Sequence, residues 1–305
     1  MGFVATSSDP NWPPSASLLV ASAHPERRNV GLLGVPTYAT SVTPRFGGDT
    51  PGAIRSALSR FSTWSFSDDL DLAHHVALVD YGDVDDPDGP DGFDRVRDAV
   101  SSFDEALDLR MILGGDNAAT WHALRALGGG SYMGVGLVTF DAHLDMREGV
   151  SNGSPVRQLL DDGLDPEHVV QVGLADFSNS AVYAARARAL GVTIISRDEL
   201  RRSPVEEVVA RAVALASGGG RRVYVDVDLD VADRSVVPGC PAAAPGGLSA
   251  DELRRMVRAA AAERSVFAMD LTEIDLARDS ADERTVRLAA LLVLEALAGV
   301  TRRAP

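Results

Sequence analysis

The sequence predicts an α/β fold, with a mainly parallel sheet of eight strands covered by helices on both faces. Two observations carry this prediction. Short β-branched or apolar runs alternate with amphipathic segments of helical length, and parallel pairing needs a crossover of that length between successive strands. Polar residues also gather at the carboxyl ends of those runs, where sheets of this class collect ligands. A closed β/α barrel is the competing topology.

Taken in order, residues 1–28, with NWPPSAS near the middle, read as an irregular N-terminal arm packed on the body or on a neighbouring subunit. Residues 29–305 read as a single domain, because no low-complexity linker or repeat divides them. Strands are expected at 29–35, 75–84, 110–115, 134–143, 169–174, 192–195, 222–228 and 265–271. Helices are expected at 51–61, 93–107, 118–127, 155–162, 180–190, 204–216, 250–262 and 283–298.

Composition narrows the function. The net charge of -15 comes from 44 acidic residues against 29 basic ones, every one of them Arg, which argues against non-specific nucleic-acid binding. Cys240 is the only cysteine, so neither an internal disulfide nor a cysteine zinc cluster is available. There is no run of eighteen apolar residues for a membrane span, and the first residues mix Pro, Ser and Asp unlike a signal peptide, so cytoplasmic residence is the expectation. No GxGxxG or P-loop string points to a nucleotide.

The chemistry lies in two strand ends. GVGLVTF runs into Asp141, Ala142, His143, Leu144 and Asp145, while RVYV runs into Asp226, Val227 and Asp228. Alternate residues of a strand point the same way, so each segment aims a row of oxygens, plus one imidazole, at a common centre. Alone, each string reads more readily as turn or cap residues; together they point to metal. Four buried carboxylates cost several kcal/mol each unless they are protonated, solvated or neutralised, and a divalent cation neutralises them together. An oxygen-rich set with one imidazole suits Mn²⁺ best. Bridging carboxylates would hold a metal pair about 3.5–4 Å apart over a shared, acidified water. His24, His74, His75, His122 and His168 read as surface or packing residues.

Four motifs, GGDNAAT (114–120), FDAHLDMR (140–147), VDVDLDVADRSVVPGCPAAAPGGLS (225–249) and DLTEIDLARD (270–279), resemble the ureohydrolase family of arginase, agmatinase and formimidoylglutamase. The opening LLGVPTYATSVTPRFGGDTPGAIRSAL is similar too. The resemblance implies a three-layer α/β/α sandwich, a pair of Mn²⁺ ions per subunit and a homo-oligomer, trimer or hexamer. It also implies that Asp141 and Asp226 bridge the metals, that His143 and Asp228 serve the second metal, and that Asp145 completes the first. Glu273 takes the place of the glutamate that pairs with the substrate's amidine nitrogen. One departure stands out: Asn117 occupies the position of the first-site histidine in the family's GGDH pattern, and a neutral amide is the weaker donor to Mn²⁺. Asp116 beside it reads as structural.

Two further residues bear on the substrate. Asn152 stands where arginase and agmatinase carry a proton-shuttling histidine, and it cannot titrate; formimidoylglutamases are more similar here and in GCPAAAPGG and QVGLADFSNSAVY. Arg147, two residues beyond Asp145, would repel a cationic substrate and attract a carboxylate, unless it pairs with a neighbouring Asp instead. The expected reaction is hydrolysis of N-formimidoyl-L-glutamate to L-glutamate and formamide, with Asp145 holding and passing the proton. The alternatives are agmatine or a guanidino acid releasing urea, and a catalytically silent homologue.

Overall fold

The computed structural model describes residues 9–44 and 49–304. The first eight residues of the arm and RFGG of the opening glycine-rich loop therefore lie outside the described residues. Among these described residues eleven strands occur, β1 Leu19–Val20, β2 Arg28–Val35, β3 Trp64–Ser65, β4 Leu70–Asp71, β5 Val76–Asp83, β6 Leu109–Gly114, β7 Val135–Phe140, β8 Val169–Leu174, β9 Thr193–Ser196, β10 Arg222–Val227 and β11 Val266–Leu271. Ten α-helices connect them, α1 Thr50–Ala57, α2 Leu72–His75, α3 Gly92–Ser101, α4 Ala118–Leu127, α5 Pro155–Asp161, α6 Ala181–Leu190, α7 Arg197–Leu200, α8 Val205–Ser217, α9 Ala250–Ala262 and α10 Arg284–Thr301.

Nine strands form one sheet in the order β1-β5-β2-β6-β11-β10-β7-β8-β9, and β3 and β4 make a separate hairpin. All pairings in the large sheet are parallel. The order is linear with β1 and β9 at its edges, so the sheet is open and the barrel alternative falls. The ninth strand comes from the arm: Leu19 and Val20 pair with Leu78 and Val79, Leu18 enters the core, and Ser15 Oγ donates to the Leu58 carbonyl at 2.6 Å. Two residues carry no readable alternation and four carry barely one helical turn, which is why periodicity misses this strand, the β3/β4 hairpin, α2 and α7.

Each face of the sheet buries its own core. Val223, Val225 and Val227 of β10 pack beneath α1, α8, α9 and α10 with Ile54, Val209, Met256 and Leu292. Tyr224 turns to the opposite side, with Val96 of α3, Leu124 of α4, Leu159 of α5 and Ala187 of α6. This is the three-layer α/β/α arrangement, produced by period-two alternation in strands that are apolar on both faces. Helix α3 stops at Ser101, short of the expected 107, because Ser101 and Ser102 hydroxyls donate back to the Asp98 and Ala99 carbonyls at 2.6 Å each. Helix α10 runs past 298 because Gly299 lets it press on α9; a Cβ there would lie 2.4 Å from the Arg258 carbonyl oxygen. Among the described residues no helix is long and apolar enough to cross a membrane.

Sequential order breaks between β6 and β7, which are separated in the sheet by β11 and β10. Crossovers leave a crevice at such a break, beyond the carboxyl ends of the strands. The chain places its carboxylates there.

Candidate metal centre

Strand β7 ends at Phe140, and Asp141 follows with its backbone N–H held by the Val172 carbonyl at 3.0 Å. The fully buried Asp141 side chain accepts from the His143 N–H through Oδ1 at 2.6 Å, while Oδ2 has no hydrogen-bond partner among the described residues. His143 Nδ1 lies 3.0 Å from Asp230 Oδ2 and 3.4 Å from Asp141 Oδ1. The three side chains each offer a ligand atom within 4.8 Å of the others. Asn179 fixes this turn by accepting from the Leu144 N–H at 2.8 Å and donating to the Ala142 carbonyl at 2.9 Å.

The place expected for Asp226 in this cluster is taken by Asp230. Strand β10 ends at Val227, and Asp228 caps a one-turn 3₁₀ helix, Leu229–Val231, by accepting from the Asp230 N–H at 2.8 Å. That turn swings Asp230 over to His143. Asp226 faces the same side as Asp228 but lies one pleat deeper, in register with Thr139, and does not reach the cavity. Asp228 lines the cavity beside Asp230.

Asp145 and Glu273 adopt the left-handed backbone region at φ 51° and 66°, as do five other described non-glycine residues away from the cavity floor. Asn117 Nδ2 donates to Asp145 Oδ2 at 2.6 Å, and its Oδ1 accepts from the Thr120 and Thr272 hydroxyls at 2.8 Å each. Glu273 Oε1 accepts from the Asn117 N–H at 2.9 Å and from Asn152 Nδ2 at 2.7 Å. Asn152 is tethered in turn by the Val42 N–H on its Oδ1 at 2.8 Å.

The cavity has a volume of about 330 Å³. The buried Asp145, Asp228, Asp230 and Glu273 line it with the half-buried His143, the exposed Arg147 and Tyr183 of α6. Arg147 is exposed and forms no ion pair among the described residues, so the structural pairing with a neighbouring Asp is not seen. Its aliphatic stem rests on Gly153, where a Cβ would come within 2.6 Å of Arg147 Cδ. Asp116 is structural: its Oδ1 accepts from the Ala118 N–H at 3.1 Å and its Oδ2 from Ser41 Oγ at 2.5 Å. His122 packs edge-on against Trp121, away from the cavity.

Burial and mutual repulsion dominate the electrostatics. Burial, then the Asp230 charge, pushes Asp141 up to about 7, and burial together with the Asp141 carboxylate holds Asp145 well above the usual range. Asp228 is raised by burial and by Asp230. Burial works against the His143 imidazolium, but the Asp230 and Asp141 carboxylates outweigh it and push the ring up to about 12. Burial acts to raise Asp230 as well, and the His143 charge brings it below its ordinary value. Such a set holds more carboxylate than its one imidazolium can balance. It suits a divalent cation, and the partnerless Oδ2 of Asp141 is an oxygen with a ligand still to find.

Asp230, Asn179 and Tyr183 are among the cavity residues that periodicity and motif spacing do not single out. The available signal for Asp230 was the run Asp226, Asp228, Asp230, in which the end of the strand decides which pair reaches the crevice.

Comparison with known proteins agrees with this geometry. The model of the arginase family matches residues 28–299. The chain is 32% identical to formimidoylglutamase of Bacillus subtilis over 289 residues, covering 88% of this chain and 86% of that protein. The crystal structure of a Bacillus subtilis formimidoylglutamase superposes with a TM-score of 0.88 at 28% identity, over 99% of this chain and 96% of the other. Trypanosoma cruzi formiminoglutamase, solved with Mn²⁺, shares the fold with a TM-score of 0.84 at 24% identity, over 96% of this chain and 100% of that one.

Proposed function

The chain belongs to the arginase family, and from that premise we propose that it is a metal-dependent hydrolase that splits N-formimidoyl-L-glutamate into L-glutamate and formamide. The observation that carries the proposal is the convergence of Asp141, His143 and Asp230 on one cavity, which is also lined by Arg147, a side chain with no ion pair among the described residues. Asp141, His143, Asp228 and Asp230 would hold one Mn²⁺, and Asp141, Asp145, Asp228 and Asn117 the other. Asn117 contributes by turning its amide over, so that the oxygen faces Asp145 and the Thr120 and Thr272 hydroxyls accept from nitrogen instead of donating. The bound ions supply Lewis acidity that activates water and polarises the amidine.

The protein's own groups do the rest. Glu273, pinned by Asn117 and Asn152, would accept hydrogen bonds from the formimidoyl nitrogens and so orient the amidine in the cavity. Arg147 takes a substrate carboxylate at the rim and disfavours cationic agmatine. Asp145 receives the proton that water gives up as its oxygen adds to the amidine carbon, and passes it to the glutamate nitrogen as the C–N bond breaks. Asn152 cannot titrate, so it orients Glu273 and takes no part in proton transfer. The same reading makes the protein a single-domain cytoplasmic homo-oligomer, a trimer or hexamer, acting in histidine degradation.

A panel of amidines and guanidines assayed with Mn²⁺, scoring formamide and urea separately, tests this. Formamide from formimidoylglutamate is expected. Urea from a guanidino acid, with no formamide from any amidine, would replace the proposed substrate.

A further inference from the structure

Helix α5 carries an arginine to which the reaction gives no part. Arg157 does not line the cavity, and its side chain is only 16% exposed. Its guanidinium is directed at the segment that bears Arg147. Nε donates to the Arg147 carbonyl at 2.7 Å and Nη2 to the Gly149 carbonyl at 2.5 Å, while Nη1 pairs with Asp161 one turn along the helix. The Arg157 N–H donates to the Asp145 carbonyl at 3.0 Å, so α5 is joined to this segment at Asp145, Arg147 and Gly149. Regular structure does nothing to hold it, since residues 141–154 form neither helix nor strand and Gly149 sits at φ 76°. Otherwise Arg147 is held by its own N–H on the Gly153 carbonyl at 3.0 Å and by its stem against Gly153.

Resting on the role proposed for Arg147, we infer that Arg157 is the positioning residue that aims the Arg147 guanidinium at the substrate carboxylate. An exposed arginine without an ion pair samples several rotamers, and those it gives up on binding cost affinity. Fixing the backbone from which the side chain leaves removes part of that cost before substrate arrives. A planar fork that holds carbonyls two residues apart sets both peptide planes of the segment, which a single donor does not. A second carboxylate clamp is the competing role for Arg157. Its three nitrogens are already engaged by two carbonyls and Asp161, which also matches its charge, so it acts through Arg147 and does not touch substrate. Glu148 in the same segment pairs with Arg186 of α6 at 2.8 Å, but both side chains are exposed and such a pair constrains the chain little.

The test is steady-state kinetics at saturating Mn²⁺ on formimidoylglutamate and on a neutral N-alkyl formamidine. Arg157→Met keeps the aliphatic stem and removes every donor. It should raise KM for formimidoylglutamate roughly 3- to 30-fold, less than Arg147→Ala does, with turnover and the neutral compound unaffected. Arg157→Lys returns one donor and should recover part of the loss. The double variant Arg147→Ala/Arg157→Met should be no worse than Arg147→Ala alone, because nothing is left to aim. Arg186→Ala removes a positive charge beside Glu148 without touching those carbonyls and should match wild type. Should Arg157→Met fail to fold, Arg157→Lys and its double variant carry the same comparison. Additive losses in the double variant, equal losses on both substrates, an equal rise in Arg186→Ala, or a wild-type KM in the Arg157 variants overturns the assignment. Wild type inert toward formimidoylglutamate, or a wild-type KM in Arg147→Ala, overturns the reading of Arg147 itself, and this inference with it.

Discussion

Replacing Arg147 with Ala separates recognition of an acidic substrate from the hydrolytic chemistry beneath it. The guanidinium stands exposed at the rim, its stem held against Gly153 and its head without an ion pair among the described residues. A charge-assisted hydrogen bond contributes about 1.5–3 kcal/mol, and a two-pronged contact to carboxylate belongs to the stronger end. Solvent at the rim screens part of this, leaving about 1.5–2.5 kcal/mol. At about 1.4 kcal/mol per tenfold, KM for formimidoylglutamate should rise roughly 10- to 70-fold. Turnover should change little, because a carboxylate remote from the amidine carbon is held equally before and during bond breaking. Arg147→Lys keeps the charge but not the fork and should fall between the two. Steady-state kinetics on formimidoylglutamate and on a neutral N-alkyl formamidine supply the check, since the neutral compound should not register the loss. Unchanged KM for the acidic substrate, or equal losses on both, would refute the role given to Arg147.

Further tests address the floor of the site. Asp230→Asn removes the oxygen nearest His143 Nδ1 and should weaken the second ion by at least about tenfold, visible as a lower Mn²⁺ content after dialysis; undiminished content would remove Asp230 from the ligand set. Glu273→Gln keeps the shape but loses the charge that pairs with the amidine, so kcat/KM should drop roughly 10- to 150-fold with Mn²⁺ content intact; wild-type kcat/KM would dismiss that pairing. The last concerns pH. Asp141 is raised from 3.8 to about 7, so in metal-free protein it costs stability progressively as pH climbs through that interval. His143 is raised from 6.5 to about 12, so its stabilisation is complete below 6.5 and drains away as pH rises toward 12. Both signs agree: metal-free Tm should fall from pH 5 to pH 8, and the increase in Tm on adding Mn²⁺ should grow over the same range, because the ion replaces protons. An Mn²⁺ effect as large at pH 5 as at pH 8 would contradict the proton-displacing site.

What the sequence made legible follows from period. The eight strands β2 and β5 to β11 announce themselves by apolar runs, and Val169–Leu174 coincides with its expected span because each of its residues is buried. Leu19–Val20 is invisible for the opposite reason, since only its pairing with β5 makes it a strand. The metal site shows where period stops helping. From Tyr224 to Asp228 the alternation holds, and it correctly turns Asp226 and Asp228 to one side. Past Val227 the chain enters a 3₁₀ turn, and a turn of three residues redirects a side chain that strand parity would leave further out. Asp230 therefore meets His143, and Asp226 stays within the sheet. A reading by spacing alone gives three aspartates two apart and no means of choosing the pair, because the choice depends on where β10 ends. That end is set across the sheet: the Val227 N–H donates to the Asp270 side chain at 3.1 Å and the Asp228 N–H to the Phe140 carbonyl at 3.1 Å. Asp270 is thus the cap that ends the strand, so Asp270→Asn should disturb the centre even though it never touches the cavity. A lower Mn²⁺ affinity in folded Asp270→Asn, with the KM for substrate unchanged at saturating metal, is the expected outcome, and an unaltered affinity would mean that the end of β10 is fixed by something other than this side chain.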